Sequence, residues 1–363
     1  MRPPLDPALE NWLRALPKAE MHLHFEGAFR WSTIRELHPW GPSLPATPPW
    51  LARSRPFPDF DDFVQALRDY VLPSTGTPEW IERHAFEVTE DLARQAVRYA
   101  EIIVSHDFHM RRGLDHAAVW AAIAAGRDRA MARYPIDVRL FQGINRYLGP
   151  AAALATLEAV IDCAAPRGWI AGIDLQGDER IGAVGDFAEI FQRATGAGLK
   201  LRAHAGELRG AESVRATVFD HGVRQISHGV RAVDDPALLS ALAAEGVFLH
   251  VCPTSNVLLG CAAGYGQHPL RALLLAGVRC TVNSDDPLLF GSDVLNEYRL
   301  LIQEMGFAPH EVAELAKTGF RASLLPEPTV TALCDEIDTH TGKSGAGRTT
   351  GEGFRSRGFP NSP

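Results

Sequence analysis

A handful of histidines and carboxylates in this chain have the types and spacing to share one metal ion. His22 and His24 stand two residues apart in the run Ala19-Glu20-Met21-His22-Leu23-His24-Phe25-Glu26-Gly27. The run reads as a strand, and side chains alternate faces along a strand, so both imidazoles point the same way. Neutral imidazole nitrogens suit zinc. An H-x-H pair arises often by chance, as two polar histidines at a strand end, so its meaning depends on what the rest of the chain supplies. Further on come His204 with Glu207, then His228, then Asp285 and Asp286. His22, His24, His204 and Asp285 make three nitrogens and one carboxylate oxygen for one metal, with a place left open for water. Water held there has its pKa drawn down towards ~7. Glu207 is not needed as a ligand and is free to carry protons. His228 can orient or deprotonate that water, or stabilise charge on it.

Regular elements must bring these residues together. From residue 78 onward helices are expected at 79–99, 115–133, 150–164, 184–197, 210–220, 235–244 and 268–275. Strands are expected after them at 99–105, 137–144, 170–177, 199–207, 225–230, 247–253 and 278–287. With the opening strand that makes eight. Strands alternating with helices mean a parallel sheet with crossover connections. Eight such units fit a closed (β/α)8 barrel, whose chemistry sits at the C-terminal ends of the strands. An open doubly wound sheet is the runner-up, but no Gly-rich phosphate fingerprint follows the first strand. His22, His24, His204, Glu207, His228, Asp285 and Asp286 all fall at or just beyond strand ends, while the strand interiors read as apolar.

The reading gives one barrel over 1–338. It includes short helices at 5–16 and 31–37 and a Pro-rich loop at 39–58. A helix carrying Phe60 and Phe63 follows, placed over the end of the first strand. There the segment of about 40–75 either covers a flat ligand or packs on the body. Residues 339–363 are Gly, Ser, Thr, Arg and Pro with scarcely an apolar side chain, and are expected to be disordered. Gly342-Lys343-Ser344 lacks the earlier glycine of a P-loop, since position 337 is Ile337.

Bulk properties narrow the function classes. The 363 residues are 46% apolar, enough for a large core, and the net charge of −8 argues against a nucleic-acid binder. The five cysteines are scattered with no C-x-x-C, which reads as reduced thiols rather than a disulfide framework. The start lacks the apolar core of a signal peptide, and no apolar run is read as approaching the ~18 residues that cross a bilayer. A cytoplasmic protein with no membrane partner is expected; oligomeric state stays open.

The segments 18–27, His204-Ala205-Gly206-Glu207, Ser227-His228-Gly229, Cys252-Pro253-Thr254-Ser255-Asn256 and Asn283-Ser284-Asp285-Asp286-Pro287 together resemble the motif set of the adenosine/adenine deaminase family of the amidohydrolase superfamily. They stand in that family's order and span the whole barrel. The resemblance implies one zinc per subunit on His22, His24, His204 and Asp285. It implies that Glu207 protonates the purine N1 as hydroxide attacks C6, that His228 and Asp285 position the water, that Asp286 holds N7, and that the backbone of Gly177 approaches N3. Attack at C6 breaks aromaticity, so a proton on N1 stabilises the developing charge. The other zinc deaminase class needs P-C-x-x-C, which is absent.

The resemblance divides on substrate. Glu26 stands where adenosine deaminases of the animal type usually carry Asp, which contacts the ribose 5′-hydroxyl. Glu resembles the adenine and aminodeoxyfutalosine branches. Residues 174–179 and 286–290 look closer to adenosine deaminases. The implied reaction is adenosine to inosine plus ammonia, with aminodeoxyfutalosine and adenine next. Arg111 or Arg112 could contact a substituent on the sugar or be solvated. Against an inactive barrel serving as a binding module stand Glu207 and every ligand, all present, and against a binuclear hydrolase stands the fourth strand, which offers Asp174 and no lysine.

Overall fold

The computed structural model describes residues 5–52, 57, 59–110 and 112–342. Eight strands hydrogen-bond in sequence order: β1 Lys18–His24, β2 Val97–Val104, β3 Asp137–Asn145, β4 Gly172–Gln176, β5 Lys200–Ala205, β6 Gln225–His228, β7 Phe248–Val251 and β8 Arg279–Val282. All seven consecutive pairs are parallel. The ring closes at the C-terminal end. There Asp285 donates its N–H to His22 O (3.1 Å) and His24 donates to Asp285 O (2.9 Å), forming a bridge at Leu23. This is the (β/α)8 barrel, and its seam runs through three of the residues singled out above.

The helices form for local reasons. Thr77 accepts the Trp80 N–H and Pro78 opens the helix Pro78–Arg94 with a preset φ. Asp59 caps Phe60–Ala66 by accepting from Asp62 N–H (2.9 Å). Strand residues such as Ile173, Ile226 and Leu249 and helix residues such as Trp120, Leu157 and Leu238 are fully buried in one contiguous core.

Several expectations need correction. The strand interiors are not uniformly apolar. Arg202 is buried between Glu101 (2.9 Å) and Asp174 (3.5 Å), and Tyr99 donates to Glu101 (2.7 Å). Opposite charges and a hydroxyl satisfy one another there, which is the condition for burying them. The run 146–167 holds an 18-residue window of mean hydropathy 1.4, so among the described residues there is one stretch long and apolar enough to span a bilayer. Its helix Gly149–Cys163 belongs to the barrel's outer ring and turns Ala153, Leu157 and Val160 inward. The Pro-rich segment contains single turns at Gly41–Ser43 and Pro49–Ala52, tied down where buried Trp50 donates Nε1–H to Leu288 O (3.1 Å). Three further helices, Val294–Gln303, Pro309–Ala322 and Glu327–His340, follow among the described residues. The last extends two residues into the expected tail; residues 343–363 lie outside the described residues. All five cysteines are free.

Candidate metal and substrate site

The pairing of β1 with β2 shifts register between Glu20 and Leu23, so alternation is interrupted where it was assumed. His22 and His24 still converge: their Nε2 atoms are 3.2 Å apart, and each is 3.2 Å from Asp285 Oδ1. His204 joins from β5, its ring centroid 4.8 Å from that of His22. Its Nδ1 is 2.8 Å from Asp174 Oδ1, which leaves Nε2 to face the cluster. Asp174 also accepts from Ser227 Oγ (2.7 Å). A carboxylate behind a ligating imidazole fixes its tautomer and aim. Ligand atoms of His22, His24 and Asp285 lie within 4.8 Å of one another, and so do those of His22, His204 and His228. Burial pushes the His22 pKa down to about 3, so its ring is neutral. Burial alone would lower His24, but Asp286 and Asp285 outweigh it and lift it to about 10. A metal ion would take that proton's place among the carboxylates. Neutral nitrogens and a carboxylate at this spacing fit zinc.

His228 and Asp285 adopt left-handed backbone, φ 65° and 64°. Such residues cost of order 1–3 kcal/mol each and persist where the surroundings impose them. Here the strain turns both side chains onto the rim. His228 Nε2 lies 3.5 Å from Glu207 Oε1 and 3.9 Å from Asp285 Oδ2.

Glu207 lies in the loop after β5. Burial, then the charges of Asp285 and Glu179, raises its carboxyl well above the usual range, so it holds a proton at neutral pH. Its loop is gripped by Glu179, which is fully buried. That carboxylate accepts the N–H groups of Gly206 (2.8 Å), Glu207 (3.0 Å), Leu208 (2.9 Å) and Arg209 (2.9 Å), and the Ser213 hydroxyl. Successive amides converging on one anion form a nest.

Asp285 and Asp286 are adjacent buried carboxyls, and their environments separate them. His22 and His24 hold Asp285 well below the usual range against the pull of burial. Burial and the neighbouring Asp285 push Asp286 well above it, so Asp286 is a donor at neutral pH. Gly27 is required beside it: a Cβ at position 27 would sit 1.8 Å from Asp286 Oδ1. Cys252 Sγ lies within 4.8 Å of ligand atoms of His228 and Asp285, but burial keeps it a thiol.

A cavity opens from this cluster. One wall is apolar, with Phe60, Phe63 and Val64 facing Phe108 and Phe290. Phe63 stacks on Phe290 at 5.7 Å between centroids. The remaining wall carries Glu26, Ser105, Asn145, Tyr147 and Gln176, with Gly177 beside them at φ 91°. Glu26 is held by His109 Nε2 (3.0 Å) and by the Ser105 N–H (3.2 Å). Gln176 Nε2 donates to Ser105 Oγ (2.7 Å) and Asn145 Oδ1 (2.9 Å). Arg112 is exposed and does not line the cavity; Arg111 lies outside the described residues.

His22, His24, Glu26, Gly177, His204, Glu207, His228, Asp285 and Asp286, named from the sequence as ligands, catalysts or substrate contacts, stand in or beside this one cavity, whereas the sugar contact offered for Arg111 or Arg112 finds no support there. Asp174's hold on His204, Glu179, His109 and the pair Asn256–His268 were not read from the sequence. Of these only Asp174 stands on a strand, β4; Glu179, His109, Asn256 and His268 lie in helices and loops beyond strand ends, so no shared position signals them.

The family model described as adenosine deaminase matches residues 17–340. The chain belongs to the adenosine deaminase family. Among relatives, it is 38% identical over 317 residues to an adenine deaminase of Rhizobium meliloti, covering 86% of this chain and 96% of that one. It is 35% identical over 336 residues to an aminodeoxyfutalosine deaminase of Streptomyces coelicolor, covering 92% and 86%. An amidohydrolase from Burkholderia ambifaria, solved with bound Zn, superposes with a TM-score of 0.84 at 26% identity, covering 94% of this chain and 96% of that one. As a member of this family, the chain is a hydrolytic deaminase of the amidohydrolase type. Amidohydrolase deaminases use a divalent metal, and a His/Asp cluster able to hold one is present here.

Proposed function

We propose that the chain deaminates a 6-aminopurine nucleoside, adenosine first, using one zinc held by His22, His24, His204 and Asp285. The observation that carries the nucleoside reading is the polar wall. Glu26, Ser105, Asn145, Tyr147 and Gln176 give more hydrogen-bonding groups than a bare purine can use, and a sugar's hydroxyls would engage them. No Lys or Arg stands among the described lining residues, so a phosphorylated substrate would meet no countercharge.

Zinc at this cluster supplies Lewis acidity and lowers the pKa of water. The protein does the rest. The apolar wall of Phe60, Phe63 and Phe290 flanks the purine plane. Asp286, protonated by its surroundings, donates to N7, and the Gly177 N–H approaches N3. Glu207 gives its proton to N1 as a water oxygen bonds to C6. One water proton passes by way of the Glu207 carboxylate to the amino group, which leaves as ammonia as the C6–N bond breaks, and the other returns to Glu207 as the C6 oxygen becomes the carbonyl of a 6-oxopurine. His228 and Asp285 orient the water. Glu26, anchored by His109, faces the sugar.

Glu26 itself is the observation favouring the second reading, adenine or aminodeoxyfutalosine as substrate. Ammonia release from adenosine, deoxyadenosine, adenine and aminodeoxyfutalosine separates the two. The highest kcat/KM is expected for adenosine; a higher value for either rival overturns the substrate choice.

A further inference from the structure

His228 faces the reaction centre through Nε2, and what it does there depends on which nitrogen carries its proton. A chain of hydrogen bonds behind it decides this. It starts at a backbone amide, whose direction is not in question. The Leu270 N–H donates to His268 Nδ1 (3.1 Å), so that nitrogen is an acceptor. Burial pushes the His268 pKa down to about 4, so the ring is neutral and its proton sits on Nε2. His268 Nε2–H therefore donates to the Asn256 side-chain oxygen (3.2 Å). That orients the amide, whose nitrogen lies 3.1 Å from His228 Nδ1. An amide nitrogen can only donate, so His228 Nδ1 must accept. With Nδ1 accepting from the amide, the ring's proton is on Nε2, the atom aimed at Glu207 and Asp285. Asn256 and His268 are both buried, so water does not compete for these bonds.

We propose that His268 and Asn256 are positioning residues that fix His228 as the Nε2–H tautomer, so that it donates a hydrogen bond into the reaction centre and does not serve as its base. The proposal rests on the deaminase reading for its kinetic consequence, not for the tautomer. Of the roles open to His228, orienting water, taking its proton or stabilising charge on it, it excludes the second. The Nε2–H stabilises the negative charge that grows on the attacking oxygen, and water's proton goes not to this imidazole but to the carboxylate that Glu207 becomes once it has protonated N1.

The test uses the full chain loaded with zinc and 15N-labelled at histidine. In the wild type, His228 is expected to show a protonated Nε2 and a bare Nδ1. Asn256→Asp replaces the donor by an acceptor of the same shape and forces a proton onto Nδ1. With it kcat should fall about 100-fold or more, as when one transition-state donor is lost, while KM for adenosine and zinc content hold within threefold. Should that variant fail to fold, His268→Leu removes the donor to Asn256 and should lower kcat about tenfold, and His268→Gln, which restores a donor, should recover most of that loss. A protonated Nδ1 in the wild type overturns the proposal. So does Asn256→Asp with kcat unchanged, or with kcat lost only alongside zinc. If the wild type turns over no 6-aminopurine, the proposed function fails while the labelled spectrum still decides the tautomer.

Discussion

His204 Nδ1 lies 2.8 Å from Asp174 Oδ1, one strand away in the barrel. The second oxygen of Asp174 takes the Ser227 hydroxyl from the strand beyond. The carboxylate thus ties β4, β5 and β6 together beneath the cluster and turns His204 Nε2 to face it. Asp174→Asn should weaken zinc binding by roughly 10- to 100-fold, the usual cost of losing a ligand's supporting carboxylate. Competition against a graded chelator measures it, and unchanged zinc affinity would remove Asp174 from this role.

Glu207→Gln keeps the shape of the side chain and removes its proton. Zinc content should be unchanged and kcat should drop by about 10²–10⁴, the range for a positioned acid. Turnover equal to wild type would refute the proton-donor role.

Glu179 grips four successive amides of the Glu207 loop. Glu179→Gln sets an amide N–H against some of them and loosens the loop. A displacement of Glu207 by about 1 Å would cost on the order of 100-fold in kcat, with KM little changed. A proportional rise in KM with kcat intact would show that the loop positions substrate and not the acid.

How much of this was legible without coordinates follows from what kind of information each feature needs. The eight units were legible because helices and strands imprint different periods on the chain, and the barrel then sends strand ends to one rim. His22, His24, His204 and Asp285 stood at such ends. The partnerships were not legible. Asp174 meets His204 30 residues on, Glu26 meets His109 83 residues on, and Asn256 meets His228 from the opposite direction in sequence. Each depends on strand register and loop path, which periodicity does not encode. The β1 irregularity before His22 was hidden for the same reason. The Arg202–Glu101 pair was not legible because a buried charge pair looks, one residue at a time, like two interruptions of an apolar strand.

Stability should carry a pH signature away from the reaction centre. Burial raises the Glu297 carboxyl from 4.5 to about 7, although Ser292 and the Thr254 N–H (3.1 Å) stabilise its ionised form. Between those values the folded chain keeps a proton that the unfolded chain has lost. The group's contribution is therefore full below the unfolded value and is lost as pH rises to about 7. The slope is at most ~1.4 kcal/mol per pH unit. Glu297→Gln should flatten the stability curve between pH 5 and 7, read from urea midpoints. Parallel curves for the two proteins would contradict this.

The central claim is that one metal at the His22, His24, His204, Asp285 cluster works with Glu207 to deaminate an aminopurine nucleoside. Ammonia release from adenosine, followed as zinc is added back to chelator-stripped protein, tests it most directly. No release is expected from the stripped protein, followed by a rise that saturates at one zinc per chain. Release that survives stripping, or that needs two zinc ions per chain, would contradict it.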